Sequence, residues 1–154
     1  MRGVRWLVSL AVLGAMLAIG GRSASAQTCT LTVTPVAFGI YNVFSTTSLA
    51  STGTVTCQCT PRTAMSITVW MSKGNGTTNN PRQMASGANQ LGYYLCQDAS
   101  CNKLWGDKQY PSDSGPITPP NSGTVSLPIY GTIPAGQDVP VGAYSDTVLV
   151  EVDF

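Results

Sequence analysis

The stretch Tyr144-Ser145-Asp146-Thr147-Val148-Leu149-Val150-Glu151-Val152-Asp153-Phe154 decides the fold. Val148, Val150, Val152 and Phe154 recur at every second position. That is the period of a strand with one buried face. In an immunoglobulin-type sandwich a further strand usually packs beside such a last strand. No sequence after Phe154 supplies one. The expectation is that the sandwich closes another way or leaves one edge bare. A bare apolar edge is an aggregation hazard unless another chain covers it. The plainer alternative is an ordinary edge strand, and the period alone favours it slightly.

The same period runs back through the chain. Cys29, Leu31 and Val33 alternate with threonines, and Gly53 to Thr60 alternates Val55, Cys57 and Cys59. Met65, Ile67, Val69 and Met71 form a third run, and Leu91, Tyr93 and Leu95 a fourth. Val125, Leu127, Ile129, Gly131 and Ile133 form a long fifth. Turn-rich stretches separate them at Lys73 to Asn80, Gly106 to Ser122 and Pro134 to Gly142. Such punctuation between alternating strands predicts one all-β sandwich, with no helix after the first segment. Pro128 inside the fifth run has no N–H to give, so it fits an edge or a bulge.

The first segment is expected to be removed. Arg2 and Arg5 precede an apolar run from Trp6 to Ile19, and Ala24-Ser25-Ala26 completes a secretory signal with cleavage after Ala26. The run is shorter than the roughly 20 residues a spanning helix needs. Removing Arg2, Arg5 and Arg22 from the 8 basic residues leaves five against 7 acidic ones, a net charge of −2. The expected domain is 27–154, large enough for one core.

Composition excludes whole classes of chemistry. With no histidine there is no Ser-His-Asp triad, no Cys-His dyad and no imidazole ligand. Charged residues make up 10%, and the balance gives no basic footprint for nucleic acid. Asp98, Asp107, Asp113, Asp138 and Asp146 could include an acid pair for glycoside hydrolysis, but most sit where aspartate stabilises turns, which is the stronger reading. No catalytic, cofactor or metal site is expected. Asn75-Gly76-Thr77 matches a glycosylation sequon but reads better as a turn. Trp70, Trp105, Tyr93, Tyr94 and Tyr110 are candidates for sugar stacking, with packing the stronger reading. Trp105-Gly106 is the best candidate for an exposed loop tip. Tyr144 resembles a tyrosine corner.

All five cysteines lie in the exported part, where disulfides are the default. Cys96 and Cys101 flank a short turn-like segment, so a local bridge fits. Cys57 and Cys59 share one face of a strand, and either can pair with Cys29. One thiol is left over. A four-cysteine metal site is disfavoured, because C-x-C with C-x4-C is not a zinc pattern.

The ordered set of motifs resembles the spore coat protein U domain family. The matching stretches are Cys29 to Tyr41, Gly53 to Thr60, Leu91 to Ala99 with Leu104-Trp105-Gly106-Asp107, and Ile129 to Gln137 followed by Gly142 to Phe154. The resemblance spans nearly the whole expected domain. It implies an incomplete immunoglobulin-like β-sandwich with an open edge beside the C-terminal strand. The family includes subunits of archaic chaperone–usher pili, which work in adhesion or biofilm formation, and secreted coat-type proteins. The partners implied are a periplasmic chaperone, an outer-membrane usher and neighbouring subunits. None is a nucleic acid or a small-molecule substrate. The implied location is the cell surface, a pilus or the medium, reached through the periplasm. Val148, Val150, Val152 and Phe154 would line the strand-acceptor groove or register with the chaperone. The carboxylate of Phe154 would anchor to chaperone basic residues. The family's pattern implies Cys29–Cys59 and Cys96–Cys101, with Cys57 left over and Cys29–Cys57 as runner-up.

One departure matters. Gln27 and Thr28 are too short to span a groove, so the chain is expected to accept a strand without donating one. That fits a pilus-end subunit, or the alternative of a stand-alone coat-type or binding domain.

Overall fold

The computed structural model describes residues 28–60, 67–108, 116–117 and 123–153. The expected signal segment 1–26 lies outside the described residues, as do Met65, Tyr110, Asp113 and Phe154. Eight strands are present among the described residues: β1 (Thr28–Thr34), β2 (Leu49–Thr60), β3 (Ile67–Met71), β4 (Arg82–Ser86), β5 (Asn89–Cys96), β6 (Pro116–Ile117), β7 (Thr124–Ile133) and β8 (Val150–Asp153). They form a five-stranded sheet in the order β1-β2-β7-β5-β4 and a three-stranded sheet in the order β6-β3-β8. Every pairing is antiparallel.

The alternating runs explain the core. Val55, Cys57, Leu91, Tyr93, Leu95, Leu127, Ile129 and Ile133 are buried on the inner face of the large sheet. Ile67, Val69 and Met71 of β3 meet them from the small sheet. The intervening residues of β2, β3, β5 and β7 lie on the opposite face, as the pleat requires. Pro128 pairs opposite Thr54 on one side. On the other side β5 reaches only as far as Tyr130, so no ladder bond is lost there.

Two strands have no apolar run to announce them. β4 places Arg82 and Met84 at its buried positions, so a charge occupies a core site. A tight hairpin at Gly87, whose φ is +59°, joins β4 to β5 with Ser86 opposite Asn89. β6 is only two residues long.

The structure joins Cys29 to Cys59 and Cys96 to Cys101, leaving Cys57 free and buried. Register gives the reason for the first pairing. Cys29 lies directly opposite Cys59, whereas Cys57 lies opposite Leu31. Burial pushes the Cys57 thiol above its ordinary pKa, which keeps it protonated and unreactive.

Trp105 packs in the core, the stronger of the two sequence readings, and is not the exposed loop tip of the weaker one; it is 2% exposed. Its backbone N–H donates to the Leu95 carbonyl, beside a bridge between Cys96 and Leu104. That pairing folds the loop back over the sheet.

Candidate functional site: an apolar groove beside the last strand

β8 pairs with β3 on one side only and forms one edge of the small sheet. Beside it runs a groove of 1070 Å³. Its floor includes Met71, Met84, Leu91, Leu95, Ile129 and Ile133. One wall is the segment 35–43 after β1; the other is 139–148, leading into β8.

The first wall is seated by missing side chains. A Cβ at Gly131 would lie 2.5 Å from Val36 Cγ1 and 2.7 Å from Phe38 Cζ. One at Gly53 would lie 2.6 Å from the Thr34 carbonyl. Only glycine lets the segment settle so close. Phe38 then meets the Tyr93 ring edge-on at 5.9 Å. Ser51 Oγ donates to the Ala37 carbonyl, and Tyr41 Oη donates to the Pro134 carbonyl.

The second wall is pinned at three places. Ser145 exchanges both backbone bonds with Ala85 of β4. Asp146 accepts from Tyr93 Oη at 2.6 Å and from the Asn75 N–H at 2.7 Å. Leu149 accepts from the Ser72 N–H, and its own N–H donates to Ser72 Oγ. Tyr144 Oη donates to the Pro140 carbonyl four residues upstream, as a tyrosine corner does. Burial, and then the bond to Asp146, hold the Tyr93 phenol well above the usual tyrosine range.

Behind this wall Arg82 is fully buried. Its guanidinium donates to the carbonyls of Ser72, Met71, Asn79 and Trp105. The end of β3, the turn before β4 and the Trp105 loop are thereby tied together at the groove's back. Sequence reasoning missed Arg82; its only signal is a charge at an alternating position of an otherwise unrecognised strand.

The rim remains apolar and bare. Ile40 on one wall is 93% exposed and Val141 on the other is 107% exposed. Val33 at the end of β1 also lines the groove and is exposed. Segment 35–43 has no strand partner among the described residues. The site thus offers an apolar trough between two stretches of backbone.

Of the residues expected to line it, Val148 and Val150 do. Val148 precedes β8 rather than belonging to it, because Ser72 Oγ takes the ladder position at Leu149. Val152 packs on the core but is not a lining residue. Phe154 lies outside the described residues. The walls 35–43 and 139–147 were not singled out from the sequence.

Two of the described aspartates are engaged in holding turns and the groove wall. Asp98 accepts three backbone N–H groups within the Cys96–Cys101 turn and just beyond it. Asp146 is spent on the wall. The sequon Asn75 is held in its turn by bonds to Asp146 and Ser145. Among the described residues, no group of three or more Cys, Asp or Glu is placed to hold a metal, and no helix is long and apolar enough to cross a membrane.

Comparison with known proteins agrees with this architecture. A chain in the crystal structure of the CsuC–CsuE chaperone–tip adhesion subunit pre-assembly complex, from the archaic chaperone–usher Csu pili of Acinetobacter baumannii, superposes with a TM-score of 0.56. The match is 21% identical and covers 84% of this chain and 40% of that one. The E. coli Hda pilus minor tip subunit HdaB superposes more loosely, with a TM-score of 0.42, 15% identity and 80% of each chain covered. In sequence, Protein U of Myxococcus xanthus is 31% identical over 112 residues, 69% of this chain. The chain spans 61% of that relative's length. The Spore Coat Protein U domain model matches residues 15–151, and the chain belongs to that family.

Proposed function

We propose that the protein is a non-enzymatic subunit of an archaic chaperone–usher pilus, working in adhesion or biofilm formation. The observation that carries this reading is the apolar groove between segment 35–43 and β8, with its bare rim at Ile40 and Val141. An extended segment laid there would bond to backbone on both walls and set alternate side chains into the trough. That is strand addition: main-chain bonds supply affinity and pockets supply specificity. A periplasmic chaperone would lend the strand first, and a neighbouring subunit would replace it during export through the usher. The crystal structure similar in fold is itself a chaperone–subunit complex, which supports the chaperone as a partner. Val148 and Val150 are the groove residues of the second wall; Val152 and Phe154 are proposed to set the chaperone's register. A signal cleaved after Ala26 would leave the subunit accepting a strand, which suits the end of a fibre.

The test is co-expression in a periplasm with an archaic pilus chaperone. The reading expects a one-to-one complex that Val150→Asp abolishes, because a charge would enter the trough. No complex under any expression condition would contradict it. A monomer secreted in good yield without the chaperone would favour a stand-alone coat-type domain.

A further inference from the structure

The outer face of the large sheet is a second surface, on the far side of the sheet from the groove. No residue of β1, β2, β5 or β7 is charged. A soluble surface normally carries roughly a quarter to a third charged residues. The charge is replaced by hydroxyls in register. Thr32, Thr56 and Ser126 lie side by side across three strands, and Thr34 lies beside Thr54. Thr56 Oγ1 and Ser126 Oγ are 3.1 Å apart. Rows of this kind repeat about every 4.8 Å across the sheet and about every 6.7 Å along it.

The hydroxyl rows end against two aromatic rings. Tyr94 lies opposite Thr132, and Tyr130 is two residues before Thr132 on the same face. The two tyrosines are therefore diagonal neighbours on adjacent strands. Both are half-buried, and neither hydroxyl bonds to another described residue. On β1, the hydroxyls of Thr30, Thr32 and Thr34 are likewise exposed and without a described partner.

We infer that this face binds a neutral polysaccharide. A sugar chain presents C–H faces that stack on tyrosine and edge hydroxyls that exchange hydrogen bonds with threonine and serine. Absence of charge selects against acidic polymers and nucleic acid, since no cation on these strands meets an anion. β-Branched threonines hold few rotamers, so the hydroxyl array is ordered before binding. Because the groove lies on the inner side, occupation of one surface leaves the other open. The inference stands on different residues from the strand-acceptor reading.

The test is affinity electrophoresis of the chain co-purified from a periplasm as its complex with an archaic pilus chaperone, in native gels with and without a soluble glycan, with the chaperone alone as the blank. The glycans are hydroxyethyl cellulose, galactomannan and dextran, with alginate as the acidic control. The expected result is at least a twofold loss of relative mobility in one neutral glycan and none in alginate. Tyr130→Ala and Thr56→Lys should each restore free mobility while melting as the parent does. The groove variant Val141→Ser should leave retardation unchanged. Lack of retardation in all three neutral glycans would overturn the inference, as would retardation that survives both face variants. A concentration-dependent dimer broken by Thr56→Lys, without glycan retardation, would also overturn it and assign the face to a second copy.

Discussion

The Gln137 carboxamide holds Gly92 by both of its backbone groups. The Gly92 N–H donates to Oε1 at 2.7 Å, and Nε2 donates to the Gly92 carbonyl at 2.8 Å. The ladder between β5 and β7 pairs Tyr94 with Thr132, so the next matching step would set Gly92 opposite Pro134. Proline has no N–H, and the ladder cannot continue. Gln137 supplies the missing pair from a side chain. Its own N–H donates to Tyr41 Oη, which ties the same corner to the groove wall.

Replacing this side chain tests the arrangement. Gln137→Leu is expected to cost about 1–3 kcal/mol, because two half-buried backbone groups lose their partners. Hydrogen exchange at the Gly92 amide should accelerate more than at Tyr94. An unchanged melt with unchanged exchange would show that water replaces the carboxamide fully.

Arg82→Met should be more severe. Four carbonyls would lose their donor in a site with little water, at a cost on the order of 3–5 kcal/mol. Thermal melts read by circular dichroism should show a large fall or no folded protein. Arg82→Lys should recover part of the loss, since one ammonium reaches fewer carbonyls than a guanidinium fork.

Tyr93 predicts an alkaline limit. Its phenol is held above the ordinary value of 10.0 by burial and by Asp146. An unfolded chain therefore releases this proton first, and the folded state binds the extra one. The resulting stability is fully present below pH 10.0 and is lost as pH rises above it toward the folded value. Tyr93→Phe should lower stability at neutral pH by about 1 kcal/mol and flatten the decline above pH 10. A variant with the same alkaline slope as the parent would assign that slope elsewhere.

Gly131→Leu addresses the groove's shape. The new side chain would occupy the space of Val36 and Phe38, an overpacking cost of about 1–3 kcal/mol. The displaced wall should capture a donor-strand peptide roughly tenfold more weakly, or about 1.4 kcal/mol. Peptide titration by fluorescence anisotropy reads this directly. Unaltered affinity would mean that segment 35–43 does not form the wall that the peptide uses.

Much of the sandwich was legible because one face of most strands is buried. Val55, Leu127 and Ile67 announce their strands by alternation alone. β4 was hidden because its inner positions hold Arg82 and Met84, and the arginine is tolerated only through carbonyls contributed by distant segments. Packing was the stronger reading for Trp105, but the bridge to β5 that buries this loop residue is encoded by no local pattern. The last strand was recognised, but its start was placed two residues early. Val148 keeps the period while Ser72 Oγ ends the ladder. The groove walls are irregular chain without periodicity, so only the glycine notches at Gly53 and Gly131 record them in the sequence.

The most direct test of the strand-acceptor account is a thermal melt of the chain from Gln27 to Phe154, exported alone and compared with the same chain co-purified with a pilus chaperone. The account predicts aggregation or degradation alone, and a cooperative melt at clearly higher temperature in the complex. A monomer that melts cooperatively alone, and is not stabilised by the chaperone, would contradict it.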